Sequence, residues 1–114
     1  MRTKIRKWGN SLGLRIPKAL AEEISVGEGS AVEITVSPQQ YNAKSGLALC
    51  CPITSRIKGY PFEVSLGEGA EVSGVILADQ IKSLDWRALR ARKLWTLPDE
   101  ALQELLAKVR VLVE

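Results

Sequence analysis

The chain has 114 residues, 46% of them apolar, with 16 Lys+Arg against 13 Asp+Glu, two cysteines and no histidine. That length allows one compact domain or two very small units sharing a core, and small units of this kind depend on a partner subunit for burial. Having no histidine removes the commonest general base and metal ligand at neutral pH, so catalysis would fall to Thr, Ser, Tyr, Cys, Arg, Lys or carboxylates.

The amino end is cationic. Arg2, Lys4, Arg6, Lys7, Arg15 and Lys18 stand in the first 20 residues without an acid, whereas the remainder carries ten basic and thirteen acidic groups. Clustered positive charge marks a polyanion partner, because phosphate contacts release condensed counterions. The same charges also suit an edge strand guarded against aggregation. The apolar run of a signal peptide or membrane span is absent, so a cytoplasmic protein is expected.

Thr3 to Lys7 alternates polar and apolar residues, as a half-buried strand does, and Gly9-Asn10-Ser11 marks a turn. Leu12 to Ile16 alternates again, Pro17 opens a short helix over Lys18 to Ile24, and Gly27 and Gly29 end the unit. Ala31 to Val36 predicts a further strand with Val32, Ile34 and Val36 on one face. Ser37-Pro38 predicts a helix start with serine as cap, running Gln39 to Lys44 and closed by Gly46. Three apolar strands follow, Leu47 to Ile53, Phe62 to Leu66 and Gly74 to Ala78. The charged stretch Asp85 to Lys93 is compatible with strand or helix. Pro98-Asp99-Glu100 opens a terminal helix whose stripe of Leu102, Leu105, Leu106, Val109, Leu112 and Val113 suits a core or a dimer face.

Cys50 and Cys51 are adjacent in an apolar strand and so point to opposite faces, which disfavours a bridge between them. They are expected to be reduced, buried residues, and no metal site or cofactor is implied.

The segment Arg6-Lys7-Trp8-Gly9-Asn10-Ser11-Leu12-Gly13-Leu14-Arg15-Ile16-Pro17-Lys18 resembles the amino-terminal signature of MazE-type antitoxins, within the AbrB-like swapped-hairpin DNA-binding family. The resemblance implies a dimer whose interleaved hairpins present Arg6, Lys7, Asn10 and Arg15 to operator-like double-stranded DNA. Their chemistry agrees, since Arg and Lys pair with phosphates or guanine edges and Asn reads adenine or caps a turn.

From Ser37 onward the resemblance changes. Leu49-Cys50-Cys51-Pro52-Ile53-Thr54-Ser55, Lys58-Gly59-Tyr60-Pro61-Phe62-Glu63-Val64 and Gly74 to Arg87 are similar to the body of MazF/PemK toxins, dimeric SH3-like barrels that cut single-stranded RNA without metal. That family uses an early-strand Arg and a later-strand Thr as its catalytic pair. Thr54 takes the Thr position, while the Arg position falls in the antitoxin-like sequence. Arg56 and Lys58 stand nearby and are candidate RNA-phosphate contacts, or surface charges beside a loop.

The expected fold is therefore mostly β with helices: an AbrB-like swapped-hairpin segment over residues 1–36, joined to a truncated SH3-like MazF/PemK barrel over residues 37–114 with a carboxyl-terminal helix. Each half lacks a strand of its parent, so Thr3 to Lys7 and Leu12 to Ile16 either stay apart or fill the vacancy to give one hybrid barrel. Three functions follow from the resemblance. The chain is a DNA-binding homodimer with an inactive toxin-like body, a MazF-like endoribonuclease working through Thr54, or a non-catalytic module that pairs with MazE or MazF subunits.

Overall fold

The computed structural model describes residues 11–17 and 31–114. Seven strands run β1 (Leu12–Ile16), β2 (Ala31–Thr35), β3 (Leu47–Thr54), β4 (Glu63–Ser65), β5 (Val75–Leu77), β6 (Lys82–Asp85) and β7 (Arg92–Thr96). Helix α1 (Gln39–Ser45) follows β2, a 3₁₀ turn spans Ala78–Gln80, and α2 (Asp99–Val113) closes the chain. Every strand pairing is antiparallel. The order is β4-β5-β3-β2-β1-β7, with β6 added to β3.

The antitoxin-like and toxin-like segments therefore share one sheet. β1 pairs with β2 and, across a bulge at Gly13/Leu14, with β7; β2 pairs with β3 through Glu33–Pro52, Ile34–Cys51 and Thr35–Cys50. Of the two outcomes open to the sequence, Leu12 to Ile16 joins the toxin-like strands. The strand expected at Thr3 to Lys7, the helix at Lys18 to Ile24 and Trp8 lie outside the described residues.

Two cores flank the sheet, and Cys50 and Cys51 assign its faces. Cys51 packs with Ile34, Val64, Ile76, Trp95, Leu102 and Leu105 beneath α2, whereas Cys50 packs with Ile16, Ala48, Leu84 and Leu89 on the other side. Both thiols are free and fully buried, and burial pushes each up to about 12. They are neutral thiols at physiological pH, as expected of core cysteines.

The terminal helix is chiefly a core element. Ala101, Leu102 and Leu105 are buried, Leu106 and Val109 lie against the same core, and only Leu112 and Val113 of the predicted stripe are exposed. A charge at Leu105 would therefore unfold the chain before it reported on association. Ser37 also departs from its predicted role, because α1 has no side-chain cap. Its hydroxyl instead accepts the Leu49 amide proton at 2.9 Å and is hydrogen-bonded to the Asn42 side chain. The stretch from Asp85 to Lys93 forms neither a continuous helix nor a continuous strand: turns over 86–90 separate the end of β6 from the start of β7.

Alternation in β2 puts Val32, Ile34 and Val36 toward the α2 core, as predicted, but Glu33 and Thr35 are buried too. Glu33 is fully buried, and its carboxylate accepts from the Lys82 ammonium at 3.1 and 3.3 Å. Burial raises its pKa above the ordinary 4.5, and Lys82 pulls it partly back. The folded protein thus holds this proton more tightly than the unfolded chain does. The resulting stability is complete below pH 4.5 and is lost as pH rises through the elevated folded value. The thermal midpoint is expected to fall as pH rises through that elevated value, and Glu33→Gln, with no proton to lose, to flatten that slope. An unchanged slope in the variant would assign the dependence to other groups.

No helix among the described residues is long and apolar enough to cross a membrane.

Candidate RNA-facing site

β3 ends at Thr54, and the chain then turns out of the sheet. The Thr54 hydroxyl accepts the Arg56 amide proton at 3.1 Å, a local turn that ends the strand and fixes the side chain. The next residues are folded back by Glu63 at the start of β4. Its two carboxylate oxygens accept the Lys58 and Gly59 amide protons, each at 3.0 Å. The Glu63 amide donates to the Tyr60 carbonyl at 3.1 Å, and its carbonyl accepts from Lys108 of α2 at 3.0 Å. Loop 55–62 is therefore anchored at its base although most of its side chains are exposed.

This anchoring encloses a cavity of about 240 Å³ lined by Thr54, Arg56, Lys58, Tyr60, Glu63, Leu77, Asp79 and Gln80. Thr54, Arg56 and Lys58, singled out in the sequence, are thus brought together. Tyr60, Asp79 and Gln80 are additions. Their signal in the sequence was weak, because Asp79-Gln80 reads as the end of an apolar strand and only the short 3₁₀ turn after β5 swings it to face β3.

Thr54 is also held from behind. Gly74, at φ +129°, lies so close to the Thr54 carbonyl that a Cβ there would meet the oxygen at 2.2 Å. Glycine is needed both for that conformation and for the approach.

Chemically the cavity combines two flexible cations, an exposed aromatic ring, a hydroxyl, an amide and carboxylates. Arg and Lys suit phosphate, Tyr60 offers a stacking face, and Asp79 and Gln80 offer donors and acceptors for base edges. No cluster of three or more His, Cys, Asp or Glu side chains that could hold a metal is present among the described residues.

Of the predicted DNA-contact set, one residue lies among those described. Arg15 lies on β1 opposite Arg92 of β7 and Val32 of β2. Arg6, Lys7 and Asn10 lie outside the described residues.

Comparison with known proteins finds relatives of both segments. Residues 28–113 match the family of PemK-like, MazF-like toxins of type II toxin–antitoxin systems, and residues 5–39 match the MazE bacterial antitoxin family, described as antidote–toxin recognition. The chain is 49% identical over 85 residues to the endoribonuclease toxin MazF of Escherichia coli K12, covering 75% of this chain and 76% of that protein. It is 42% identical over 40 residues to the antitoxin ChpS of the same organism, covering 35% of this chain and 48% of the antitoxin.

Among solved structures, MazF from Deinococcus radiodurans overlays with a TM-score of 0.77 at 39% identity, covering 92% of this chain and 96% of that one. A MazE–MazF crystal structure from the same organism gives 0.77 at 39% identity, with 90% of each chain covered. Residues 37–114 make up only about two thirds of the chain, so these overlays take in part of the antitoxin-like segment as well. The chain belongs to the PemK-like, MazF-like toxin family of type II toxin–antitoxin systems and carries a MazE-type antitoxin sequence fused at its amino end.

Proposed function

We propose that the protein binds single-stranded RNA in the Thr54 cavity and that its strand cleavage is strongly reduced. The observation that carries this reading is the convergence of Thr54, Arg56, Lys58, Tyr60, Asp79 and Gln80 on one pocket, inside the segment most similar to an endoribonuclease. Cleavage by 2′-hydroxyl attack forms a bond from the 2′-oxygen to phosphorus and breaks the bond from phosphorus to the 5′-oxygen. The 2′-hydroxyl proton goes to a base, and the leaving oxygen receives a proton from an acid. Charge that develops on the phosphoryl oxygens needs a fixed cation. Arg56 and Lys58 bring charge on exposed side chains of a loop, whereas β2, which pairs with β3, reads Ala-Val-Glu-Ile-Thr and carries no cation. Binding thus outlasts catalysis in this reading.

The test is titration of labelled single-stranded RNA in chelator, with Tyr60→Ala. Loss of one stacking platform is expected to weaken binding by about 10-fold or more, while the thermal midpoint stays unchanged because Tyr60 is exposed. A folded protein that binds no RNA overturns the proposal.

The antitoxin match over residues 5–39, which includes the cationic arm, favours a second reading. In it the protein is a dimer that recognises operator-like double-stranded DNA through Arg6, Lys7, Asn10 and Arg15. Salt-sensitive DNA binding lost in Arg15→Ala, with RNA binding absent, would select it.

A further inference from the structure

A second cavity, of about 230 Å³, lies at the opposite end of β3, with Leu12, Leu14, Ala43, Ala48, Trp86 and Lys93 among its lining residues. Three of the polar groups in its wall are already engaged. The Trp86 indole N–H donates to the Asn42 carbonyl at 3.0 Å, and the Thr35 hydroxyl accepts the Leu12 amide proton at 2.9 Å. The Asn42 side chain is hydrogen-bonded to Ser37. An occupant therefore gains mainly van der Waals contact with apolar walls.

Its rim is cationic. The Arg87 guanidinium lies over the Trp86 ring, 4.9 Å from the centroid, and donates to the Ala43 carbonyl. Lys93 reaches the cavity from β7. The nearest acid in sequence, Asp85, accepts the Ala88 amide proton at 2.9 Å. An apolar slot flanked by an arginine stacked on tryptophan and by a lysine suits an unstacked nucleobase whose neighbouring phosphates rest on the cations.

Ala48 and Thr54 share one face of β3 and stand six residues apart, a separation of roughly 20 Å along a strand. Sites on single-stranded nucleic acid commonly cover about 4–16 nucleotides, so one strand reaches both cavities. We propose that the Trp86 slot is a second base-binding subsite for the single-stranded RNA held at Thr54. The proposal rests on the RNA-binding reading above.

The experiment compares a labelled RNA of about 3 nucleotides with one of about 10 nucleotides, a length inside the range that single-strand sites cover. Both are titrated into the wild-type protein, Ala43→Leu and Lys93→Glu. Both positions are exposed, so the folds are expected to survive, and circular dichroism checks this. Filling the slot with Ala43→Leu is expected to weaken the longer RNA about 10-fold and leave the shorter one unchanged, with Lys93→Glu acting in the same direction. Unchanged affinity of the longer RNA for Ala43→Leu overturns the subsite and leaves the Thr54 reading standing. Failure of both RNAs to bind wild-type protein overturns the Thr54 reading and the subsite together. Equal weakening of a double-stranded DNA of the longer length by Ala43→Leu also overturns base insertion, since a paired base cannot enter the slot.

Discussion

Replacing Ala31 with arginine is expected to raise cleavage of single-stranded RNA by at least about 10²-fold, the scale on which one preorganised group stabilising the transition state changes a rate. The reason is register. β2 and β3 pair at Glu33–Pro52 and Ile34–Cys51, and the same spacing carried two residues further would bring position 31 level with Thr54. A guanidinium carried by a strand rather than by a loop would meet charge developing on phosphorus without first being ordered. Gel assays of a short RNA in chelator measure the effect. Two controls separate restored catalysis from tighter binding: affinity should change far less than rate, and Thr54→Ala in the same background should remove the gain. A variant that binds RNA but cuts no faster would refute the view that this strand limits cleavage.

A large loss of stability is expected at Gly13. A Cβ at this position would meet three atoms of the Trp95 ring at 2.5–2.9 Å. That ring is a core group, 7% exposed, in the cluster beneath α2, and cannot step aside without disturbing the packing around it. Gly13→Ala is therefore expected to destabilise the protein by about 1–3 kcal/mol, the usual range for overpacking, and Gly13→Val by more. Chemical denaturation measures both. A second substitution, Trp95→Leu, should recover part of the loss in the Gly13→Ala background, because it removes the clashing ring. Its own cost is moderated because the buried Trp95 Nε1 has no hydrogen-bond partner to lose. Independent, additive effects of the two substitutions would show that the clash is relieved elsewhere.

Much of this architecture was legible because local rules agreed with tertiary demands. Alternation located β1 and β2, a near-continuous apolar run located β3, Gly46 closed α1, and Pro98-Asp99-Glu100 opened α2. The adjacent cysteines announced two buried faces on a single strand. What escaped had a nonlocal cause. Residues 85–93 carry an aromatic and several cations without a clear period, and the two ends of that stretch become strand only through pairing of Asp85 with Leu47, of Arg92 with Arg15 and of Lys93 with Leu14. Glu33 looked like the solvent side of a half-buried strand; Lys82, 49 residues away, is what makes its burial tolerable. At the site, chemistry-bearing types on one loop were visible as Thr54, Arg56 and Lys58. Asp79 and Gln80 were not, because a turn of three residues after β5 decides where they face.

The pairing of β1 with β7 has a consequence for the protein's synthesis. Leu14 and Lys93, neighbours across that ladder, are 79 residues apart in the chain. A nascent chain on the ribosome thus exposes β1, with one edge unsatisfied, until β7 has been translated. During that interval β1 is a template for any other strand of suitable pattern, including the same segment of a second nascent chain. Closure by the most distant partner in the sheet also raises contact order, which predicts slow folding relative to a helical protein of equal length. Stalled or truncated products of this gene that end before Arg92 are accordingly expected to be the aggregation-prone species in the cell.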